Sequence, residues 1–359
     1  MGFLSSSLNL SIQPRKMTAN NLESYDYKLD SSLIALKPIY PKSAAKLLVY
    51  DRKSDKITHT SFKYLFDFIP TDCLIVLNDT KVIPARIYGH KPSGGKVELL
   101  YHKSLSNFTF LAQTKGKLKA NDTINFHHIT AKVLEVLDNG LKVIEFYDND
   151  TLLDTAFIMD FLATHGRVPL PPYIKRSDTK KDRLDYQTVF AKNLGSIAAP
   201  TASLHLSDDD LAQITKRNHC FITLHIGAGT FFKVESSDIT QHKMHKESFF
   251  VPSDSALKIA SSDKVLCIGT TAMRCVEYFA RHCNLSNDGD IYGECDIFIN
   301  PLNPPIKASH LLTNFHLPKS SLIMLVAGLI GLEKTLEIYQ IAQNLKYRFY
   351  SYGDGMLIL

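Results

Sequence analysis

The 359-residue chain has no tryptophan, an absence that excludes no fold. Its cysteines are more telling for what they do not form. Cys73, Cys220, Cys267, Cys275, Cys283 and Cys295 include no Cys-x-x-Cys pair and no zinc-ribbon spacing. Most lie in apolar runs, so reduced, buried thiols are expected. There is also no apolar run near the ~20 residues that span a bilayer. The closest, residues 322–332, is too short and reads as a buried helix. With no signal-peptide pattern either, a cytoplasmic chain without a membrane partner is expected. Charge is scarce as well: 41 basic against 36 acidic residues leave only +5. That permits an anionic partner without requiring one, because dedicated nucleic-acid modules are usually more basic. What remains, 45% hydrophobic and 21% charged residues, is a globular composition long enough for two domains.

The chain changes texture twice. Residues 1–20 are rich in Ser and Asn without periodicity and read as a disordered extension. Residues 47–51 suit a strand and 60–69 a helix ended by Pro70. From about residue 71 to 149, short β-rich runs (73–77, 82–88, 96–100, 108–112, 123–126, 129–134, 141–146) alternate with turn signals such as Pro92-Ser-Gly-Gly95 and Asp138-Asn-Gly140. This is the pattern of a small antiparallel barrel. After residue 150 strands (220–225, 264–268) mix with helices (208–217, 253–259, 270–283, 320–345). The expected fold is a mixed α/β core domain, formed from 21–70 and 150–359, into which a β-barrel of 71–149 is inserted.

Three apolar runs deliver a histidine among small, hydroxyl or proline residues: Ala199-Pro-Thr-Ala-Ser203-Leu-His205, Thr223-Leu-His225-Ile-Gly227-Ala-Gly229-Thr230-Phe231 and Thr313-Asn-Phe-His316-Leu-Pro-Lys319. The polarity suits strand ends gathered around a small polar ligand. In the second run Gly-x-Gly lets backbone approach a ligand closely, although a tight turn is an equal reading and the third glycine of a dinucleotide fingerprint is missing. In Ile268-Gly-Thr270-Thr271-Ala-Met-Arg274 a helix begins beside two hydroxyls, compatible with anion binding or with ordinary capping. Arg274 and Glu277 share a helical face and could simply pair. Gln241-His242-Lys-Met-His245-Lys-Glu247 has metal-like composition but no HExxH order, so a polar edge near the site is expected there and no metal. The basic stretch 175–183 reads as a solvated loop, and Tyr347-Arg-Phe-Tyr-Ser-Tyr352 as a final core strand.

Several long runs occur together and in order: Leu77-Asn-Asp79-Thr-Lys-Val-Ile-Pro-Ala-Arg86, Gly94-Gly-Lys-Val-Glu98, Gly166-Arg167-Val-Pro-Leu-Pro-Pro-Tyr-Ile174, Asp185-Tyr-Gln-Thr-Val-Phe190, the three histidine runs, and Tyr347 to Asp354. Together, over about residues 25–359, they resemble the S-adenosylmethionine:tRNA ribosyltransferase-isomerase family of queuosine biosynthesis. Ser203 stands where that family usually has glycine, Pro301-Leu302 where it has Pro-Gly, and Gly355 where alanine is common.

The resemblance implies an α/β domain with an inserted barrel. It implies transfer and isomerisation of the ribosyl part of S-adenosylmethionine onto 7-aminomethyl-7-deazaguanine at the tRNA wobble position. Adenine and methionine would leave and epoxyqueuosine-tRNA would form. S-adenosylmethionine is then a co-substrate, tRNA the partner, and no obligate protein partner is evident. His225, His316 and His205 form the expected acid–base pool, since imidazole suits both roles near neutral pH. Gly227, Gly229, Thr270 and Thr271 would contact the donor, and Arg274 or Lys319 its carboxylate. Asp79, Arg86 and Arg167 would hold the modified base or its phosphates. Two other readings stay open: an S-adenosylmethionine-dependent RNA methyltransferase, which would yield S-adenosylhomocysteine, and a non-catalytic RNA-binding protein, which would consume no donor.

Overall fold

A computed structural model describes residues 18–227, 229, 234–283 and 289–359. The first strands are β1 (Lys46–Asp51), β2 (Lys56–Ser61), β3 (Leu74–Asn78) and β4 (Thr80–Val82). The next seven are β5 (Arg86–His90), β6 (Lys96–Ser104), β7 (Phe110–Lys115), β8 (Thr123–Phe126), β9 (Ile129–Val136), β10 (Lys142–Asp148) and β11 (Thr151–Leu152). The last seven are β12 (Asn193–Ser196), β13 (His219–Leu224), β14 (Glu247–Val251), β15 (Val265–Ile268), β16 (Ile291–Cys295), β17 (His310–Asn314) and β18 (Gly355–Ile358). Helices α1 (Leu65–Phe68), α2 (Thr155–His165), α3 (Asp182–Asp185) and α4 (Asp208–Thr215) are followed by α5 (Ser253–Ser261), α6 (Thr270–His282), α7 (Ser321–Ile330) and α8 (Leu332–Asn344).

Nine strands form one sheet in the order β16-β14-β13-β3-β15-β17-β18-β1-β2. Its centre, β13-β3-β15-β17, is parallel. Successive residues of these strands enter different cores. Leu74 and Val76 join α6, α7 and α8 on one face, while Ile75 and Leu77 join Phe62, Leu65 and Ile214 on the other. A strand covered on both faces has no polar alternate positions, which explains the apolar run Leu74–Leu77 of β3. That strand was expected in the barrel; it lies instead in the middle of the large sheet.

The barrel is the ring β5-β6-β7-β10-β9-β8, closed because β8 also pairs β5 and β9 pairs β10. Here the alternation is plain: Val97, Leu99 and Tyr101 point inward, with Phe110, Phe126 and Phe146 from the other strands. Closure removes the unpaired edges that a small sheet would otherwise expose. In sequence the ring falls between β3 and β13 of the large sheet.

Other expectations shift in detail. The helix expected over 60–69 is only α1, preceded by a short 3-10 turn, because residues 56–61 pair with β1 as a hairpin. Residues 347–352 are turns with buried aromatic side chains, and the strand comes later, as β18. The predicted helix 320–345 is two, broken at Gly331 with φ +83°. Residues 18–20, expected within a disordered extension, are tied down: the Tyr25 hydroxyl donates to Ala19 O (2.6 Å) and the Ile239 amide to Asn20 O (2.9 Å). Residues 1–17 of that extension, and Thr230 and Phe231 of the glycine run, lie outside the described residues. Five of the six cysteines are buried, Cys283 is half-buried, and none is in a disulfide.

Candidate active site

The carboxyl ends of the parallel strands gather the polar runs along one sheet edge. Asp79 and Thr80 follow β3, His225 follows β13, Thr270 and Thr271 follow β15, and His316 follows β17. In open α/β sheets this edge is where ligands bind, since the loops there are free of the crossover helices' packing.

At the β3–β13 junction a hydrogen-bond chain fixes His225. Asn78, fully buried, donates from Nδ2 to Leu224 O (3.0 Å) and Thr271 Oγ1 (3.1 Å), and its Oδ1 accepts from the amides of Leu224 (3.0 Å) and Thr80 (3.2 Å). Thr80 Oγ1 then shares a hydrogen bond with His225 Nδ1 (2.8 Å), and the His225 amide donates to Ser248 O (2.9 Å). Gly195 supports the ring from below. It has φ +152°, and a Cβ there would lie 2.8 Å from the imidazole. Burial lowers the pKa of His225, and the Asp79 carboxylate partly opposes this. The imidazole is therefore neutral at neutral pH and able to take a proton.

His225 opens on a cavity of about 710 Å³ between the large sheet and the barrel. One wall is Gly195, His225, Gly227, Gly229 and Glu247; the other is barrel residues including His102, Gln113 and Thr114. The volume suits a small organic ligand. Gly227 has nothing within 4 Å of where a Cβ would stand, whereas at Gly229 a Cβ would meet His245 at 2.4 Å. Both glycines thus keep backbone bare beside the cavity, one open to ligand and one under an imidazole.

Arg274 is not at the cavity wall. Its guanidinium pairs with Glu247 and donates to Ile297 O (3.3 Å) and Cys295 O (3.4 Å), all in the interior. Glu247 in turn accepts from the Gly227 amide (3.0 Å), so Arg274 positions the glycine turn from behind. Its spacing to Glu277 had suggested a pair with that residue. Glu277 instead accepts from the amides of Ile306, Lys307 and Ala308 and faces Arg281.

The other histidines are built into the fold. His205 Nε2 meets Gly353 O at 2.6 Å and the ring lies on Phe62, with centroids 4.3 Å apart; burial pushes its pKa down to about 4. His316 Nε2 meets Thr313 Oγ1 at 2.9 Å, its amide donates to the Tyr339 hydroxyl (3.1 Å), and its carbonyl accepts from Tyr27. Burial takes its pKa to about 3. Ser203, at the unusual position beside His205, is fully buried with no hydrogen-bond partner for its hydroxyl among the described residues.

Thr270 and Thr271 form the first turn of α6, whose N-cap is Gly269 and which has no side-chain cap. The capping reading of these threonines is thus not realised. Lys319 reaches Glu23 (2.9 Å) and Asp26 (3.1 Å), clasping the N-terminal segment. Asp79 accepts from Thr223 Oγ1 (2.6 Å) and Asn193 Nδ2 (3.1 Å), joining β13 to β12. Arg86 and Arg167 pair through their backbones (3.1 and 2.8 Å) at the barrel's junction with the segment after α2. Arg86 faces Glu98 at 3.3 Å, while Arg167 lies over Tyr88 and pairs with Asp178 at 3.7 Å, its side chain 51% exposed. Among the described residues no group of three or more His, Cys, Asp or Glu is placed to hold a metal ion, and no helix is long and apolar enough to cross a membrane.

An α/β sheet with a polar carboxyl edge facing an inserted barrel defines a class of ligand-binding enzyme fold, and comparisons narrow it. The structure is similar to a crystal structure of S-adenosylmethionine tRNA ribosyltransferase from Thermotoga maritima, at TM-score 0.53 and 26% identity over 94% of this chain and 100% of that one. The sequence is 55% identical to the S-adenosylmethionine:tRNA ribosyltransferase-isomerase of Helicobacter acinonychis, over 94% of this chain and 99% of that protein. It is 52% identical to the enzyme of the same name from Campylobacter jejuni, over 94% and 98%. Residues 22–358 match the family described as queuosine biosynthesis protein. The chain belongs to that family.

Proposed function

We propose that the chain is an S-adenosylmethionine:tRNA ribosyltransferase-isomerase. It moves the ribosyl group of S-adenosylmethionine onto the aminomethyl group of 7-aminomethyl-7-deazaguanine at the tRNA wobble position, giving epoxyqueuosine-tRNA and releasing adenine and methionine. The observation that carries this reading is the neutral imidazole of His225, held by Thr80 and Gly195 at a cavity walled by both the sheet edge and the barrel. The sulfonium of the donor acidifies the ribose carbon beside it, so the reaction needs a positioned base of moderate strength. His225 fills that role. Gly227 and Gly229 let the donor approach the backbone, and the first turn of α6, with Thr270 and Thr271, offers amides at the positive end of the helix dipole. Arg167, half-exposed beside Asp178, supplies a cation that tRNA phosphate can share, with Arg86 next to it on Glu98. His205 and His316 hold the same edge in place through Gly353, Thr313 and Tyr339. The protein works in the cytoplasm, where its tRNA substrate resides.

The test is to incubate the protein with the donor and precursor-bearing tRNA and identify products by mass spectrometry. Adenine, methionine and epoxyqueuosine are expected. S-adenosylhomocysteine would replace this reading with methyl transfer, and unconsumed donor with RNA binding alone.

A further inference from the structure

The cavity mouth continues onto an aromatic face that the sheet itself does not require. In β14 Glu247, Phe249 and Val251 turn into the interior, so Ser248 and Phe250 lie on the outer face, with Lys246 just before the strand. In β16 Gly293 lies under the Phe249 ring, where a Cβ would come within 2.7 Å, so Tyr292 and Glu294 face outward. The register pairs Ser248 with Glu294 and Phe250 with Tyr292. These residues make one patch, and its near end, Lys246 and Ser248, lines the cavity.

Phe250 and Tyr292 stack, with centroids 4.6 Å apart and planes 22° from parallel. Phe250 is half-buried, but Tyr292 stays 71% exposed. β16 is also the outermost strand of the large sheet. Edge strands are usually guarded by charge, and a cross-strand aromatic pair occupies only one face of each ring. The outer face of Tyr292 is a flat π-surface left to water. Charge along the patch is uneven. At the cavity rim Lys103 of the barrel (3.2 Å) and Lys246 (3.8 Å) share Glu294, so two ammonium groups meet one carboxylate. Asp290, beyond Tyr292 at the far end, accepts from the Ser253 amide (3.0 Å). A flat ring beside a cationic rim is how proteins hold single-stranded nucleic acid, with bases stacked and phosphates paired. A duplex offers no free base face to such a ring.

We infer that the outer face of Tyr292, backed by Phe250, is a stacking platform for an unpaired base of the tRNA anticodon loop, next to the nucleotide whose base enters the cavity. The inference rests on the proposed reaction for the identity of that RNA. A base drawn out of its stack into a pocket leaves its neighbour short of one partner, and an aromatic ring just past the rim replaces it. Two strand positions, about 7 Å, separate Ser248 at the rim from Phe250. Tyr292 touches the RNA and takes no part in proton transfer.

The experiment compares the unaltered protein with Tyr292→Ala, Tyr292→Leu and Tyr292→Phe. It measures the KM for precursor-bearing tRNA at saturating donor. It also measures, by fluorescence anisotropy, binding of an anticodon stem-loop RNA carrying 7-aminomethyl-7-deazaguanine. Ala and Leu should raise this KM and weaken the stem-loop roughly five- to hundredfold, the worth of one base–aromatic stack, while Phe keeps both values. The donor KM and the melting temperature should hardly move, because most of the ring is in water. The chain has no tryptophan, so Tyr292→Trp places a single fluorophore in the platform. Its emission should be quenched by the stem-loop and not by a duplex RNA of equal length. Ala and Leu variants that keep the tRNA KM and the stem-loop affinity within about twofold would overturn the inference. So would tryptophan emission that the stem-loop leaves unchanged, or an unaltered protein that binds no stem-loop. A lower melting temperature with both KM values raised together would make the ring a packing group and sink the idea. If the unaltered protein binds the stem-loop, Ala weakens it and no epoxyqueuosine forms, the proposed reaction fails and this inference stands.

Discussion

Thr80 Oγ1 and His225 Nδ1 lie 2.8 Å apart although 145 residues separate them. The contact joins the residue two beyond β3 to the residue just beyond β13, so two parallel neighbours orient one imidazole. A ring held through Nδ1 presents Nε2 outward in one orientation.

Replacing His225 with Ala should lower kcat by about 10²–10⁴, the usual worth of a positioned base. Because burial depresses the His225 pKa, activity should fall on the acid side only below the ordinary imidazole value of 6.5. Asp79→Asn removes the carboxylate that raises this pKa, so the acid limb of kcat/KM should move to still lower pH. A pH–rate profile of both proteins checks the direction. A limb that moved upward would remove His225 as the base.

Gly195→Ala should inactivate more than it unfolds. The new methyl would meet the imidazole at 2.8 Å from a backbone conformation that L residues seldom adopt. A displacement of His225 near 1 Å predicts a loss of about 100-fold in turnover. Steady-state kinetics beside a melting curve separates this from general destabilisation.

Arg274→Met leaves the buried Glu247 carboxylate without its guanidinium, which should destabilise the fold by about 3–5 kcal/mol. Adding Glu247→Gln should recover much of that, because the uncompensated charge is then gone. Urea denaturation of the single and double variants measures it. If Arg274 held a substrate carboxylate instead, the single variant would raise the donor KM and leave stability almost unchanged.

His205 and His316 predict an acid-sensitive fold. Their folded pKa values, about 4 and about 3, lie below the unfolded value of 6.5. Between those limits the unfolded chain binds more protons, so stability is complete above pH 6.5 and is lost as pH falls toward 4 and then 3. Melting temperature measured from pH 7.5 to 4 should drop, and His316→Asn should flatten the drop while lowering the plateau.

The barrel was legible because its strands show water on alternate positions and turns at regular spacing, as at Asp138-Asn-Gly140. β3 was assigned to it wrongly for the converse reason. A strand buried on both faces carries no alternation, and its neighbours in space, β13 and β15, are distant in sequence. The three histidine runs read alike in one dimension, yet one ring faces a cavity and two are held by buried backbone and hydroxyl groups. Their difference is set by which strand end receives Gly195, Gly353 or Thr313. The carboxylates around Lys319 and Arg274 were equally out of reach, since both come from remote segments.

β18 lies between β1 and β17, parallel to the first and antiparallel to the second. A chain emerging from the ribosome can therefore close the barrel early, but the hairpin β1–β2 stays detached from the rest of the sheet until residues 355–358 have been made. During synthesis the apolar flanks of β1 and β17 wait for a strand more than 300 and more than 40 residues downstream, respectively. A single short strand thus decides whether the hairpin β1–β2 and the six strands from β16 to β17 become one sheet.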